Sequence, residues 1–193
     1  MAMRSNKKST RTKDKTRNIF DEISADDALA ILRLLAKEDP KVAKRIEQIA
    51  IEYLSGVDIE DIAFEVYFEL DSIEVEEVWD RSGRTRNGYV EPTEMACQMF
   101  EEALEPFVEE MKKYQKLSMF VEAKNYCIGI LKGICRFEKE STSEYKDWAV
   151  DAPAESFDWV LDEWKEGQKG VTDEEVREVK KAGRVLKGKD IKR

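Results

Sequence analysis

Glu74, Glu77 and Asp80 are the carboxylates whose spacing best suits acid–base chemistry. They are three residues apart, so on a helix they would lie on one face. Two carboxylates held together can act as a general acid and a general base. The chain of 193 residues contains no histidine, which removes the commonest general base and every Ser-His or Cys-His nucleophile pair. A solvated helix surface explains the three carboxylates more simply, so we expect no enzyme and keep a carboxylate-based site as an alternative.

The three cysteines, Cys97, Cys127 and Cys135, are the candidate thiolate ligands for a metal. A structural zinc site uses four ligands, usually in close pairs, and Cys127 and Cys135 are eight residues apart on one predicted helix. The helical di-iron pattern needs Glu-x-x-His, which a chain without histidine cannot supply. We therefore expect reduced, buried thiols in a cytoplasmic protein, with no metal and no cofactor.

A cluster of arginines follows the carboxylates and is the only basic cluster within an acidic body. It consists of Arg81, Arg84 and Arg86, with Tyr89 shortly after. Glycines on either side would let backbone amides face an anion, and Tyr89 could stack on a base or a guanidinium. This stretch is the most loop-like internal segment and is a candidate anion-binding or partner-binding loop. The alternative is a loop that forms salt bridges with neighbouring helices.

The residues around this loop resemble those of uncharacterised microbial all-helical proteins, some of which are associated with SWIM-type zinc fingers. The resemblance covers about residues 60–140. It rests on the run Trp79-x-Arg-x-Gly-Arg-Thr-Arg-x-Gly-Tyr89, followed by Pro92 and two long helices. The chain lacks the cysteine and histidine ligands of such a finger, so a zinc function does not carry over.

Gly129 and Gly133 are unusual, because a glycine inside a helix costs about 1 kcal/mol relative to alanine. They are one turn apart, on the side opposite the apolar stripe of their helix, near Tyr126 and Arg136. Two explanations fit this pattern. A neighbouring helix approaches closely, or a shallow groove lets a partner or ligand meet bare backbone. We keep Gly129, Gly133, Tyr126 and Arg136 as a candidate groove.

Two long amphipathic helices between residues 93 and 140, joined near residues 116–118, must position these side chains. Their apolar residues recur at spacings of three and four, which forms one stripe on each helix for burial. Pro106 lies inside the first helix and predicts either a kink or the start of a second helical piece. The stripe of the first helix is Ala96, Phe100, Ala103, Phe107, Met111 and Tyr114, and that of the second is Phe120, Ala123, Cys127, Ile130, Ile134 and Phe137.

Shorter helices precede this pair, with Ser24, Asp39 and Asp58 as predicted N-caps. Thr172 and Glu175 form a capping-box pattern at the start of the last amphipathic segment. The succession of helix pairs predicts an all-α protein, either a helical-hairpin repeat (α-solenoid-like) or an irregular helical bundle. We expect the first two helices to bury their apolar residues. These are Leu29, Leu32 and Leu35 with Ala25, Ala28 and Ala36 in one helix, and Val42, Ile46, Ile49 and Tyr53 in the other.

Charge divides the chain into an acidic body between two basic ends. Residues 1–18 carry +6 and residues 171–193 carry +3, so residues 19–170 carry −18 within the total of −9. Because residues 1–18 are almost free of apolar side chains, we expect a disordered basic arm there. We divide the rest into a helical core domain (19–140), an aromatic-rich helical extension packing on the core (141–170) and a basic C-terminal helix or tail (171–193).

The sequence favours a non-enzymatic helical module for protein interaction, an adaptor with an unknown protein partner. No run approaches the roughly 20 apolar residues of a membrane span, and the charged N-terminus lacks the apolar core of a signal peptide, so we expect no membrane association. The main alternative is weak nucleic-acid binding through the basic termini and the loop at residues 81–88.

Overall fold

A computed structural model describes residues 22–86 and 88–186 of the protein. The predicted all-α class is confirmed, since helices dominate these residues and their β-structure is one two-stranded sheet. The predicted basic arm and residues 187–193 of the predicted tail lie outside the described residues. In chain order the elements are α1 (Ala25–Glu38), α2 (Pro40–Leu54), α3 (Ile59–Asp71), α4 (Val75–Arg81), β1 (Gly83–Thr85), β2 (Gly88–Val90), α5 (Pro92–Lys116), α6 (Phe120–Glu140), a 3-10 helix (Glu144–Asp147), α7 (Ala152–Glu166) and α8 (Asp173–Arg184).

The chain divides between Ser55 and Gly56 into two compact units. The first unit contains α1 and α2, and the second contains all later elements. The division lies inside residues 19–140, which the sequence pattern alone presents as one core domain. Hydrophobic periodicity shows where helices are, but it does not show which helices share a core.

The first unit is a helical hairpin whose joint is the single residue Asp39. Ser24 Oγ accepts a hydrogen bond from the amide of Asp27 at 3.2 Å, which begins α1 at the predicted cap. Asp39 Oδ1 accepts from the amide of Lys41 at 2.8 Å, and Pro40 occupies the first turn of α2. The sharp joint therefore follows from the local sequence.

The helix α6 is the centre of the second unit. All ten residues from 126 to 135 are buried, which requires neighbours on every side of the helix. These neighbours are α3, α5, α7 and α8. Helices distant in sequence share one core here, as in an irregular bundle, whereas each solenoid repeat contacts only the next. Ile130 and Ile134, predicted to be buried, are 0% and 1% exposed.

The helix α5 runs without interruption through Pro106, so this proline does not open a second helix. Leu104 and Val108 are fully buried, whereas the predicted stripe residues Ala103 and Phe107 are only half-buried. The face that meets the core is thus rotated slightly from the predicted stripe.

The arginine-rich segment, predicted as a loop, is a short antiparallel β-hairpin. In its register Gly83 pairs with Val90, Arg84 with Tyr89, and Thr85 with Gly88. Gly83 has a φ of +90°, a conformation that glycine adopts without the steric cost of a Cβ. This freedom lets the chain leave α4 and enter β1 at once.

The segments after α6 complete the core of the second unit. Trp164 of α7 is buried, and the fully buried Tyr145 donates its hydroxyl hydrogen to the carbonyl of Ala96 at 2.6 Å. The helix α8 begins with the predicted capping box: Thr172 accepts from the amide of Glu175, whose carboxylate accepts from the amide of Thr172. The aromatic-rich extension and the last helix therefore pack on α6.

Candidate interaction surface

The first unit exposes most of its apolar surface. Neither α1 nor α2 contains a buried residue, and the residues at the seam between them, such as Ala36 and Ala43, are only half-buried. An exposed apolar surface of this extent marks an interaction site. Eight large apolar side chains, 43% to 87% exposed, form what we call the hairpin face: Leu29, Ile31, Leu32, Leu34, Leu35, Ile49, Ile51 and Tyr53.

The prediction that Leu29, Leu32 and Leu35 are buried, together with Ile49 and Tyr53, is therefore wrong. The large apolar residues of α1 span an arc of about 220° at 100° per residue, far wider than the roughly 100° stripe of a surface helix. A single neighbouring helix cannot cover such an arc. The width of this arc indicates in the sequence that α1 needs more than one neighbouring helix, but it does not show whether those neighbours belong to the same chain.

The three arginines of the candidate anion loop differ in their contacts. Arg81 Nη2 donates to Glu102 Oε2 of α5 at 2.6 Å, and this hydrogen bond lowers the pKa of the Glu102 carboxyl. Arg84 and Arg86 are exposed and form no ion pair with the described residues. Tyr89, opposite Arg84 in the β-hairpin, is 64% exposed. Arg81 thus forms a salt bridge to a neighbouring helix, whereas Arg84 and Arg86 are available to an anion.

Gly129 and Gly133 do not form an open groove. A Cβ at Gly129 would lie 2.6 Å from the Cβ of Ile62, and a Cβ at Gly133 would lie 2.5 Å from the Cβ of Val66. Both distances are far shorter than van der Waals contact. The two glycines let α3 approach α6 closely, which is the first of the two explanations that the sequence allows.

Tyr126 and Arg136, predicted to lie beside that groove, pack against different helices. Tyr126 is 8% exposed, and its ring centre lies 5.8 Å from that of Tyr114 on α5. The guanidinium of Arg136 lies 4.9 Å from the ring centre of Tyr67 on α3, and its Nε donates to Glu140 at 3.0 Å. The two side chains hold the bundle together and do not converge on one site.

The remaining candidates for chemistry do not form an enclosed site. Within residues 22–86 and 88–186, no group of three or more His, Cys, Asp or Glu side chains could hold a metal ion. Burial raises the pKa of the Cys127 thiol far above its usual value, so this thiol stays protonated. These candidates are the exposed carboxylates Glu74, Glu77 and Asp80, the buried thiols Cys127 and Cys135, and the half-buried thiol Cys97.

An apolar cleft that none of the sequence-based predictions includes lies among α3, α6 and α8. Its volume is about 700 Å³, and its lining includes Ile59, Ile128 and Val185. Lys132, which is 7% exposed, also lines it, and its Nζ lies 2.5 Å from Glu60 Oε1. The ion pair neutralises a cation that would be costly to bury alone. A lysine within the buried stretch of α6 is the sequence signal for this cleft.

Among the described residues, none of the helices combines the length and the apolarity that a membrane crossing requires.

Comparisons with known proteins do not identify a family for this chain. No protein-family model matches the chain, and no curated protein and no solved structure matches it. The surfaces of the chain therefore carry the evidence for function. Eight of the 17 exposed large apolar side chains among the described residues lie on the hairpin face.

Proposed function

We propose that the protein is a non-enzymatic interaction module, an adaptor, and that the hairpin of α1 and α2 is its docking element. The observation that carries this proposal is the hairpin face, with eight large apolar side chains on two consecutive helices and none of them buried. Large exposed apolar surfaces on soluble proteins mark sites that a partner covers. Binding through such a face needs no catalytic residue.

A covering partner would also stabilise the hairpin itself. Helices of 14 and 15 residues are close to the length at which isolated helices are marginal, because most helical stability comes from packing. Burying a leucine or isoleucine side chain fully contributes roughly 1.5–3 kcal/mol. For side chains that are already half covered, about half of that contribution remains to be gained on docking.

Site-specific photo-crosslinking in cells tests the proposal. A photo-crosslinking amino acid is introduced at Leu34, 55% exposed on the hairpin face, or at Val150, 71% exposed in the second unit, as the matched control. We expect a crosslinked polypeptide from position 34 and none from position 150. Adding Ile51→Gln and Tyr53→Gln should remove the product while circular dichroism shows the helices intact.

Three results would count against the proposal. Position 34 could give no product, positions 34 and 150 could give the same products, or the product could survive the two glutamine substitutions in a folded chain. The test accepts any polypeptide as the partner, whether foreign or a second copy of this chain.

A second candidate function, weak nucleic-acid binding, is supported by the exposed arginines of the β-hairpin. Arg84 and Arg86 are unpaired among the described residues and lie on the same β-hairpin as the exposed ring of Tyr89. Guanidinium groups bind phosphates and aromatic rings stack on unpaired bases. The basic residues 1–18 would add contacts to the phosphate backbone without reading sequence.

Fluorescence anisotropy with a labelled single-stranded oligonucleotide tests this candidate. We expect weak binding at low salt that largely disappears near physiological salt, and its loss on deletion of residues 1–18. Arg84→Ala plus Arg86→Ala should weaken it further than Lys112→Ala plus Lys113→Ala, which removes the same charge from lysines held in ion pairs. Tight binding that persists above physiological salt, or that survives deletion of the arm, would contradict a non-specific electrostatic mode.

A further inference from the structure

The hairpin has a basic half and an acidic half. All five of its basic residues lie between residues 33 and 45, around the joint at Asp39; we call this the turn half. Five of its seven acidic residues lie in residues 22–32 and 46–55, which we call the open half and which contains no basic residue. The basic residues are Arg33, Lys37, Lys41, Lys44 and Arg45, and the acidic residues of the open half are Glu22, Asp26, Asp27, Glu47 and Glu52.

The turn half carries five basic residues and two acidic ones, Glu38 and Asp39, and so has a net charge of +3. Its five basic side chains are exposed and form no ion pair within residues 22–86 and 88–186. The acidic residues Glu47 and Glu52 of the open half are exposed as well. The hairpin thus carries a net charge of +3 in its turn half and −5 in its open half, along the same helices that carry the hairpin face.

We propose that the occupant of the hairpin face is the hairpin of a second copy of this chain, packed antiparallel about a two-fold axis; this inference rests on the proposed docking role of the hairpin. In that arrangement the turn half of each copy lies beside the open half of the other, so each basic patch meets an acidic patch. A parallel arrangement would place basic patch on basic patch and acidic patch on acidic patch. The product is a four-helix bundle made of two identical hairpins.

The exposed area agrees with a stable pairing. Full burial of one leucine-sized side chain removes on the order of 100 Å² of apolar surface, so eight half-exposed side chains offer roughly 400 Å² per copy. Since apolar atoms make up about 60% of an interface, the whole contact comes to roughly 1,300 Å² for both copies. That area lies within the range of about 1,200–2,000 Å² for specific protein interfaces.

The N-terminal residues of the chain do not have the composition to cover the face. Residues 1–21 contain only Met1, Ala2, Met3, Ile19 and Phe20 as apolar residues, and the stretch between is basic and polar. A second hairpin supplies eight large apolar side chains, and in the antiparallel arrangement its acidic open half lies beside the basic turn half of the first.

Sedimentation equilibrium of the full chain and two charge-reversed variants tests the pairing. Lys41→Glu, Lys44→Glu and Arg45→Glu make both halves acidic, and Asp26→Lys, Glu47→Lys and Glu52→Lys make both halves basic. We expect the wild-type chain to dimerise, each variant alone to dimerise at least about tenfold more weakly, and an equimolar mixture of the two variants to recover the wild-type association. Circular dichroism confirms that each variant keeps its helices.

Carbodiimide crosslinking of mixed unlabelled and ¹⁵N-labelled wild-type chains identifies the orientation. We expect bonds between Lys41 or Lys44 of one copy and Glu47 or Glu52 of the other. Crosslinks from turn half to turn half, or variants that associate as the wild type does, would overturn the antiparallel arrangement. A wild-type chain that stays monomeric while position 34 crosslinks a foreign protein in cells would overturn self-pairing alone, whereas a monomeric chain without crosslinks at position 34 would overturn the docking role as well.

Discussion

Ile130 and Ile134 lie in the middle of α6, with 0% and 1% of their surfaces exposed. Truncation to alanine leaves a cavity that the surrounding helices cannot collapse to fill. We therefore expect Ile130→Ala or Ile134→Ala to lower the free energy of unfolding by about 2–5 kcal/mol. Urea denaturation, followed by the fluorescence of the four tryptophans, among them the buried Trp164, measures this loss.

Val121→Ala is the control for these substitutions, because Val121 is on the same helix but 69% exposed. Its effect should stay within about 0.5 kcal/mol. An equally small effect of Ile130→Ala would show that the α6 stripe faces solvent.

Tyr126 makes the stability of the second unit sensitive to alkaline pH. Burial raises the pKa of its phenol to about 12, with a smaller contribution from the nearby Glu110 and Glu65 carboxylates. In the unfolded chain the phenol ionises near pH 10, so the folded state holds its proton more tightly. The stability from this difference is complete below pH 10 and is lost as pH rises from about 10 to about 12.

Tyr126→Phe should therefore flatten the loss of stability between about pH 10 and 12, because phenylalanine keeps the packed ring without the ionisable group. Urea denaturation at a series of pH values measures the slope. Tyr53→Phe, at a ring that is 87% exposed, serves as the control. Equal slopes for Tyr126→Phe and the wild-type chain would contradict the burial argument.

At the scale of the element, the boundaries of a helix can be predicted from local residues. The number of helices that pack around it cannot be predicted in this way. Ser24, Asp39 and Thr172 cap helices where the sequence predicts them, because a cap bond joins residues two or three apart. The exposure of the hairpin face does not follow from local residues, because it depends on how many helices surround α1 and α2. The opposite error occurs at α6, where residues 126–135 are all buried although the sequence shows one stripe.

Gly133 decides how closely α3 and α6 can pack. An alanine there would place its Cβ 2.5 Å from the Cβ of Val66 and 3.0 Å from the carbonyl oxygen of Ala63. The gain in helix propensity is about 1 kcal/mol, and the cost of forcing packed helices apart is typically 1–3 kcal/mol. We therefore expect Gly133→Ala to destabilise the second unit in urea denaturation, by up to about 2 kcal/mol.

Glu138→Ala, on the exposed part of the same helix, reports the effect of an added alanine without a packing conflict. It should leave stability within about 0.5 kcal/mol of the wild-type value. A Gly133→Ala chain that is more stable than the wild type would show that the space beside Gly133 is open.

At the scale of the whole molecule, the two units differ in how they are held together. The second unit has a core built around α6, whereas the first unit contains no buried residue in α1 or α2. The all-α class could be predicted from periodicity, and the site could not, because exposed leucines in a hairpin and buried leucines in a core have the same sequence pattern. The separation of basic and acidic residues along the hairpin is visible in the sequence. It supports a pairing of hairpins only together with the exposure of α1 and α2 in the structure.

Hydrogen exchange of the amides in residues 25–54, followed by mass spectrometry on the full chain across a series of protein concentrations, is the most direct measurement. We expect the protection of α1 and α2 to rise with concentration as a second hairpin covers the hairpin face, while the protection of α6 stays constant. In Leu34→Gln plus Ile51→Gln, the hairpin should exchange rapidly at every concentration. Protection of α1 and α2 that does not change with concentration, or that matches α6 even at the lowest concentration, would contradict a hairpin that is completed by its partner copy.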